Sequence, residues 1–267
     1  MKLTILHEDE VPATREHPVP LAITGLRASR LMSPPDYSLW LVLTELEPGA
    51  TLTWTADHGD EALYVFEGEL DVAGHRCPAG GAVIVEAGVP AVVTATTAAR
   101  VGHYGSRLAE PPSGGPLGPA APDGHRVHVV GPRGISSWGD PQEVASRSLA
   151  NAACPTCRIS LFEVTRARPR PGRPHSHSAD EIIYITGGTM QLGAHELGPG
   201  TALSIPGSVR YAEGSGPDGC VFVNYRRDVS DRTDFVKGQP PHTAWENQGS
   251  REGVRAEDDV VHVTFPR

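Results

Sequence analysis

His175-Ser-His177-Ser-Ala-Asp-Glu181-Ile-Ile-Tyr184-Ile-Thr-Gly-Gly188, followed by Gly200-x5-Pro206, occurs in this chain in a second, weaker form. Moved back by 120 positions, Thr55, Asp57, Glu61, Tyr64, Gly68 and Gly80 fall under His175, His177, Glu181, Tyr184, Gly188 and Gly200, with no gap from Thr55 to Ala91. A fixed offset with matching turn glycines indicates one structural unit used twice. The two histidines have no counterpart in the first copy, where Thr55 and Asp57 fill their places and Ala91 falls under Tyr211. The sequence therefore predicts a duplicated β-fold with one complete chemical site and one degenerate site.

Side chains two apart on a strand share a face. His175, His177, Glu181, Ile183 and Ile185 have one parity, so an extended chain turns all five the same way, with the isoleucines as floor and the polar three at the mouth. Two imidazoles and a carboxylate converging on one point form a facial triad with open positions. Such a set suits Fe(II), Mn(II), Zn(II) or Ni(II). By itself, Pro-His-Ser-His-Ser would read as a solvated loop. The spaced glutamate, the shared parity and the flanking glycines favour metal binding.

The wider pattern agrees with an all-β chain. With 267 residues the chain has room for two domains. Its 30 glycines and 25 prolines suit short strands and tight turns better than long helices. Strands are expected at Ser38–Leu46 (ended by Glu47-Pro48-Gly49), Ala62–Phe66, Glu69–Ala73, Ala82–Val85, Ala91–Ala95 and Arg100–Tyr104. Glu67-Gly68 reads as a hairpin turn. After residue 125 they are expected at Arg126–Val130, Arg158–Thr165, Ile182–Thr186, Thr189–Leu192, Thr201–Ile205, Val209–Ala212, Cys220–Tyr225 and Val261–Phe265. Asp140–Ala150, with Pro141 in its first turn, reads as a short helix. The Pro/Gly-rich run 111–125 reads as a linker between an N-terminal half, 1–110, and a C-terminal half, 126–267.

A net charge of −9 with no basic face argues against a nucleic-acid partner. No apolar run approaches the length of a membrane span. The N-terminus, whose brief apolar run gives way at once to acids, does not read as a signal peptide. Four cysteines do not make a disulfide framework, and a cytoplasmic protein is expected.

The run His-x-His-x3-Glu-x6-Gly, followed by Gly-x5-Pro, resembles the two signature motifs of the cupin superfamily. Residues 175–188 carry the ligand-bearing part of the first motif in full. In the second, Pro206-Gly207-Ser-Val-Arg-Tyr211 places Tyr211 where cupins have a third histidine ligand. The resemblance extends over both halves, as in a bicupin, and implies two tandem jelly-roll β-barrels with a single divalent metal ion held in the second by His175, His177, Glu181 and Tyr211. Tyr211 would serve either as a fourth ligand or as an acid/base beside a metal-bound water. A homodimer is implied by the family alone.

The first function expected is a non-haem Fe(II) dioxygenase acting on a small organic molecule, on the strength of the donor set and the apolar Ile183/Ile185 floor. The alternatives are a redox-neutral isomerase, lyase or hydrolase, with a layout like that of ureidoglycine aminohydrolases, and a non-catalytic ligand-binding cupin. Of the other groups, Cys154-Pro-Thr-Cys157 lacks two further ligands at finger-like spacing and reads as a turn. His195 reads as an exposed hairpin residue and Trp54 as core. Arg158, Arg210 and Arg226 lie on or beside expected strands within reach of a carboxylate substrate, although each reads first as a surface residue.

Overall fold

The computed structural model describes residues 2–107, 126–152, 154, 156–246 and 259–264. The proposed linker, 111–125, lies outside the described residues. In chain order the elements are β1 (Thr4–His7), a 3-10 turn (Glu8–Glu10), β2 (Ala22–Leu31), β3 (Leu39–Trp54), β4 (Glu61–Glu67), β5 (Glu69–Val72), β6 (His75–Pro78), β7 (Ala82–Val85), β8 (Ala91–Ala95), β9 (Ala99–Ser106), β10 (Arg126–Val130) and β11 (Ser136–Asp140). There follow β12 (Val144–Ala150), β13 (Ile159–Arg166), β14 (His175–His177), β15 (Glu181–Leu192), β16 (His195–Leu197), β17 (Thr201–Ile205), β18 (Glu213–Arg227), β19 (Ser230–Asp234), β20 (His242–Glu246) and β21 (Val260–Thr264). The fold is all-β, with two jelly-roll barrels built on a 10-stranded and an 8-stranded sheet and a small sheet β14-β19-β20 beside the second.

Strand register repeats the sequence offset. Glu61 pairs with Val85 and Tyr64 with Ala82 in the first barrel, as Glu181 pairs with Ile205 and Tyr184 with Ala202 in the second. Gly68 and Gly188 both have positive φ, 79° and 64°. At each, a β-carbon would land on a carbonyl oxygen, that of Ala98 or of Gly219. Glycine alone fits there without strain. Gly68 is not a hairpin turn: β4 pairs with β7 and β9, whereas β5 pairs with β6 and β8, so the residue switches the chain between partners.

Alternation decides what each strand faces. Ile183 and Ile185 lie in the interior cluster of the second barrel, and Leu63 and Val65 in that of the first. The intervening Ile182 and Tyr184, with Ala62 and Tyr64, join Tyr37, Leu41, Tyr104 and Tyr225 in a third core that fills the seam between the barrels. Burial on both faces explains why these strands read as unbroken apolar runs.

The halves of the sequence are not the halves of the fold. β1 leaves the N-terminal half and pairs with β17. β10 leaves the C-terminal half and pairs with β7, and β21 then pairs with β10. Each barrel thus borrows an edge strand from the other half, which covers backbone groups that would otherwise be open to pairing.

Three local expectations are corrected. Residues 136–150 form the hairpin β11–β12, not a helix. Pro141 sits in its turn, where the Gln142 N–H donates to Asp140 Oδ1 at 2.9 Å and the Glu143 N–H to the Asp140 carbonyl at 2.9 Å, a side-chain-closed turn that outcompetes the helix. Pro48-Gly49 does not end β3. The pairing with β2 jumps across it, from Leu26–Leu46 to Thr24–Thr51, so it is accommodated as a bulge, which a proline tolerates. Val209–Ala212 is not a strand; Tyr211 makes one isolated bridge to His175.

Candidate functional site

All four side chains singled out in the sequence are buried together inside the second barrel: His175, His177, Glu181 and Tyr211 are between 0% and 7% exposed. β14 brings in the histidines by pairing with β19. Reciprocal backbone bonds between His175 and Tyr211, both 2.9 Å, lock the proline turn of the second motif against the histidines of the first. The turn is itself anchored, since Asp180 Oδ1 accepts from the Gly207 N–H at 2.7 Å. Glu181 is fixed from across the seam: the Tyr37 hydroxyl accepts from its backbone N–H at 3.1 Å and donates to the Ile205 carbonyl at 2.8 Å.

Each histidine has a definable tautomer. His175 Nδ1 lies 2.8 Å from the Arg173 carbonyl, so Nδ1 carries the proton and Nε2 the lone pair. His177 Nε2 lies 3.1 Å from Arg226 Nη2, a group that can only donate, so this Nε2 also carries a lone pair. Glu181 is ionised. Burial alone would raise its pKa, but Arg226, His177, and hydrogen bonds from Tyr211 and Asn224 hold it down at about 2. Asn224 Nδ2 donates to Oε2 at 2.7 Å, and Arg226 Nε and Nη2 approach Oε2 at 3.1 and 3.0 Å.

Tyr211 donates its hydroxyl hydrogen to Glu181 Oε1. Burial and the neighbouring Glu181 and Glu213 push the phenol well above its ordinary pKa. In this arrangement it is a protonated hydrogen-bond donor.

The donor chemistry therefore suits a divalent cation, with two imidazole lone pairs and one carboxylate. The spacing is wider than the sequence implies. Among the described residues, the trio of His/Cys/Asp/Glu donors drawn within 4.8 Å of one another is His128, Cys154 and Cys157, not His175, His177 and Glu181. Between His177 and Glu181 stands the Arg226 guanidinium. The carboxylate that Arg226 reaches is the protein's own, that of Glu181. Its place opposite Glu181, and that of Asn224 opposite Ile183, follow from the β15–β18 register, which leaves no mark in the sequence.

With Glu181 buried behind them, His175, His177 and Tyr211 line a cavity of about 1420 Å³ that has Ile183, Phe162 and Phe222 on its walls. Seven arginine and lysine side chains line it, against two carboxylates, Glu213 and Asp234. Arg170, Arg173, Arg210 and Lys237 are exposed there. In a chain of net charge −9, this is a local reversal of sign.

The comparable place in the first barrel is filled differently. Thr55 and Asp57 are exposed. Glu61 accepts from Trp54 Nε1 at 2.5 Å and lies 2.8 Å from His103 Nε2, and His103 Nδ1 lies 3.4 Å from His17 Nε2. Trp54 is core, as expected, and His195 is exposed. The His17–His103 pair was not anticipated, because His17 lies outside the repeat.

Among solved structures the fold has many counterparts. A glyoxylate-induced protein from Pseudomonas aeruginosa superposes with a TM-score of 0.63 at 15% identity, covering 90% of this chain and 91% of the other. The coconut allergen cocosin gives 0.61 at 12% identity, covering 90% of each chain. Bacillus subtilis oxalate decarboxylase, described with Mn(II) centres, gives 0.60 at 14% identity, covering 85% and 78%. The chain has the cupin fold. No protein-family profile matches this sequence, and no curated protein sequence does. The likeness is thus one of architecture, and fold does not carry function with it. No helix among the described residues of this chain is long and apolar enough to cross a membrane.

Proposed function

We propose that the chain is a bicupin metalloenzyme that acts on a small anionic organic molecule in its second barrel, with His175, His177 and Glu181 as the residues that would hold a divalent ion. The observation that carries this reading is the pair of Nε2 lone pairs beside an ionised, buried carboxylate at the inner end of an arginine-lined cavity. A bound divalent ion would supply Lewis acidity toward a carboxylate or carbonyl of the substrate.

The chain's own groups set the rest. The cationic mouth attracts anions and raises their local concentration. Ile183, Phe162 and Phe222 keep the inner wall apolar. Tyr211 holds a proton at its hydroxyl on the Glu181 side of the pocket. Arg226 is the group that must move: for a cation to take His177 and Glu181, the guanidinium gives them up, and the negative group of the substrate is the partner it gains in exchange.

A redox-neutral reaction, of the lyase, isomerase or hydrolase kind, is placed ahead of the oxygenase expected from the donor set alone. The apolar floor that suggested an oxygenase is present, but charge dominates the entrance. Oxalate decarboxylase, by its name, acts on a small dianion. Mn(II) is accordingly the first ion to test, ahead of Fe(II).

Arg226 also favours a second reading. A guanidinium already bonded to both His177 and Glu181 can be the resident cation of a metal-free barrel that binds anions. Calorimetric titration of Mn(II) into wild type, His177→Ala and Arg226→Met separates the two. One equivalent in wild type, lost in His177→Ala and tighter in Arg226→Met, supports the metalloenzyme. Binding gained only in Arg226→Met supports the metal-free reading. If none of the three proteins binds Mn(II) or another divalent ion at this site, the metal assignment falls.

A further inference from the structure

The seam between the barrels holds a second group of ligand atoms, away from the cavity. Cys154 and Cys157, on the loop between β12 and β13, and His128 of β10 offer donor atoms that all lie within 4.8 Å of one another. Both cysteines are free thiols. The strand exchange creates the group. β10 leaves its own half of the sequence to join the first sheet, and there its histidine meets the Cys-x-x-Cys loop.

A second histidine lies beside this trio, on β21. His128 and His262 are directly opposite in the β10–β21 ladder, and their Nδ1 atoms lie 2.7 Å apart. Two ring nitrogens at that distance share a proton or turn to a common cation. Behind His128, Glu86 Oε1 lies 2.7 Å from Nε2 and accepts a hydrogen bond from Thr156, and Glu86 is only 2% exposed. A carboxylate on the far nitrogen of an imidazole is the usual support of a metal-ligating histidine, since it orients the ring and frees the near nitrogen to bind.

We propose that Cys154, Cys157, His128 and His262 form a structural zinc site that fastens the two barrels together. Two thiolates and two imidazoles make the closed tetrahedral set that zinc prefers in structural sites. Binding releases the two thiol protons and leaves a neutral centre, so no charge is stranded at the seam. Cys157 belongs to the inter-barrel core, at 3% exposure, which excludes water from one side. The ion would pin β21, β10 and the β12–β13 loop, three segments distant in sequence, at one point.

Cobalt(II) titration of the reduced, chelator-treated full chain tests this apart from the second barrel, whose donors contain no sulfur. The expected result is one equivalent with a thiolate-to-cobalt charge-transfer band, displaced by zinc, lost in Cys157→Ser and retained in His177→Ala. His262→Ala should weaken the binding about 10-fold or more. Should either variant fail to fold, the wild-type spectrum suffices. The proposal is overturned if reduced wild type shows no thiolate band, if the band survives in Cys157→Ser, or if the freshly purified chain carries Cys154 and Cys157 as a disulfide.

Discussion

Arg226 and Glu181 face each other across neighbouring strands, with Nη2 3.0 Å from Oε2 and both side chains at most 5% exposed. Breaking a buried ion pair from one side costs far more than replacing both partners, because the remaining charge is left in a poor solvent. Glu181→Gln should therefore destabilise the chain by about 3–5 kcal/mol, and the double variant Glu181→Gln/Arg226→Met should recover much of that loss. Urea midpoints of the three proteins check it. A Glu181→Gln midpoint equal to wild type would show that the pair does not hold the barrel.

Tyr211→Phe removes one donor from Glu181 and leaves Asn224 and Arg226 in place. A hydrogen bond to a charged group contributes about 1.5–3 kcal/mol, and a loss in that range is expected in chemical unfolding. Mn(II) affinity should stay within a few-fold of wild type. A large drop in affinity would instead make the phenol oxygen a ligand.

Gly188 has φ 64° and no room for a β-carbon beside the Gly219 carbonyl, whereas Gly187 would meet only the Val221 side chain at 3.6 Å. Gly188→Ala should cost more than about 1 kcal/mol, and Gly187→Ala much less. Gly68→Ala, its equivalent in the first barrel, should behave as Gly188→Ala does. Thermal unfolding of the three variants compares them directly.

His17 is held neutral in the fold. Burial, and then the neighbouring His103, lower its pKa to about 4. A base whose folded pKa lies below its unfolded value contributes stability that is present above about pH 6.5 and is lost as pH falls toward 4, because the unfolded state then takes up the proton more readily. The wild-type melting temperature should fall across that window, and His17→Gln should show a shallower fall. Parallel slopes for the two proteins would rule out His17 as the source.

Much of the fold was legible because it rests on local chemistry. Gly68 and Gly188 mark positions only glycine fills, and the alternation of Leu63 and Val65 with Ala62 and Tyr64 records two buried faces. The helix expected at 140–150 lost to the hairpin in a contest between similar local signals, decided by the Asp140 turn. The shared burial of His175, His177, Glu181 and Tyr211 was legible too, since they lie within one repeat and the first three share parity. Arg226, Asn224, His17 and His103 were not, because each reaches its site through strand register. The Cys-x-x-Cys run was visible but looked incomplete, since its neighbours His128 and His262 come from strands remote in sequence.

The amino-acid order alone fixed that this protein is a twofold β-structure with imidazoles and a carboxylate turned inward in its second copy, because strand parity and turn glycines act within a few residues of themselves. Only the folded chain decided which strands cross between the barrels, that a guanidinium stands between His177 and Glu181, and that two cysteines meet His128 at the seam. Those outcomes depend on pairing between segments separated by tens to more than a hundred residues, where the packing of whole faces, not any local preference, sets which side chains meet.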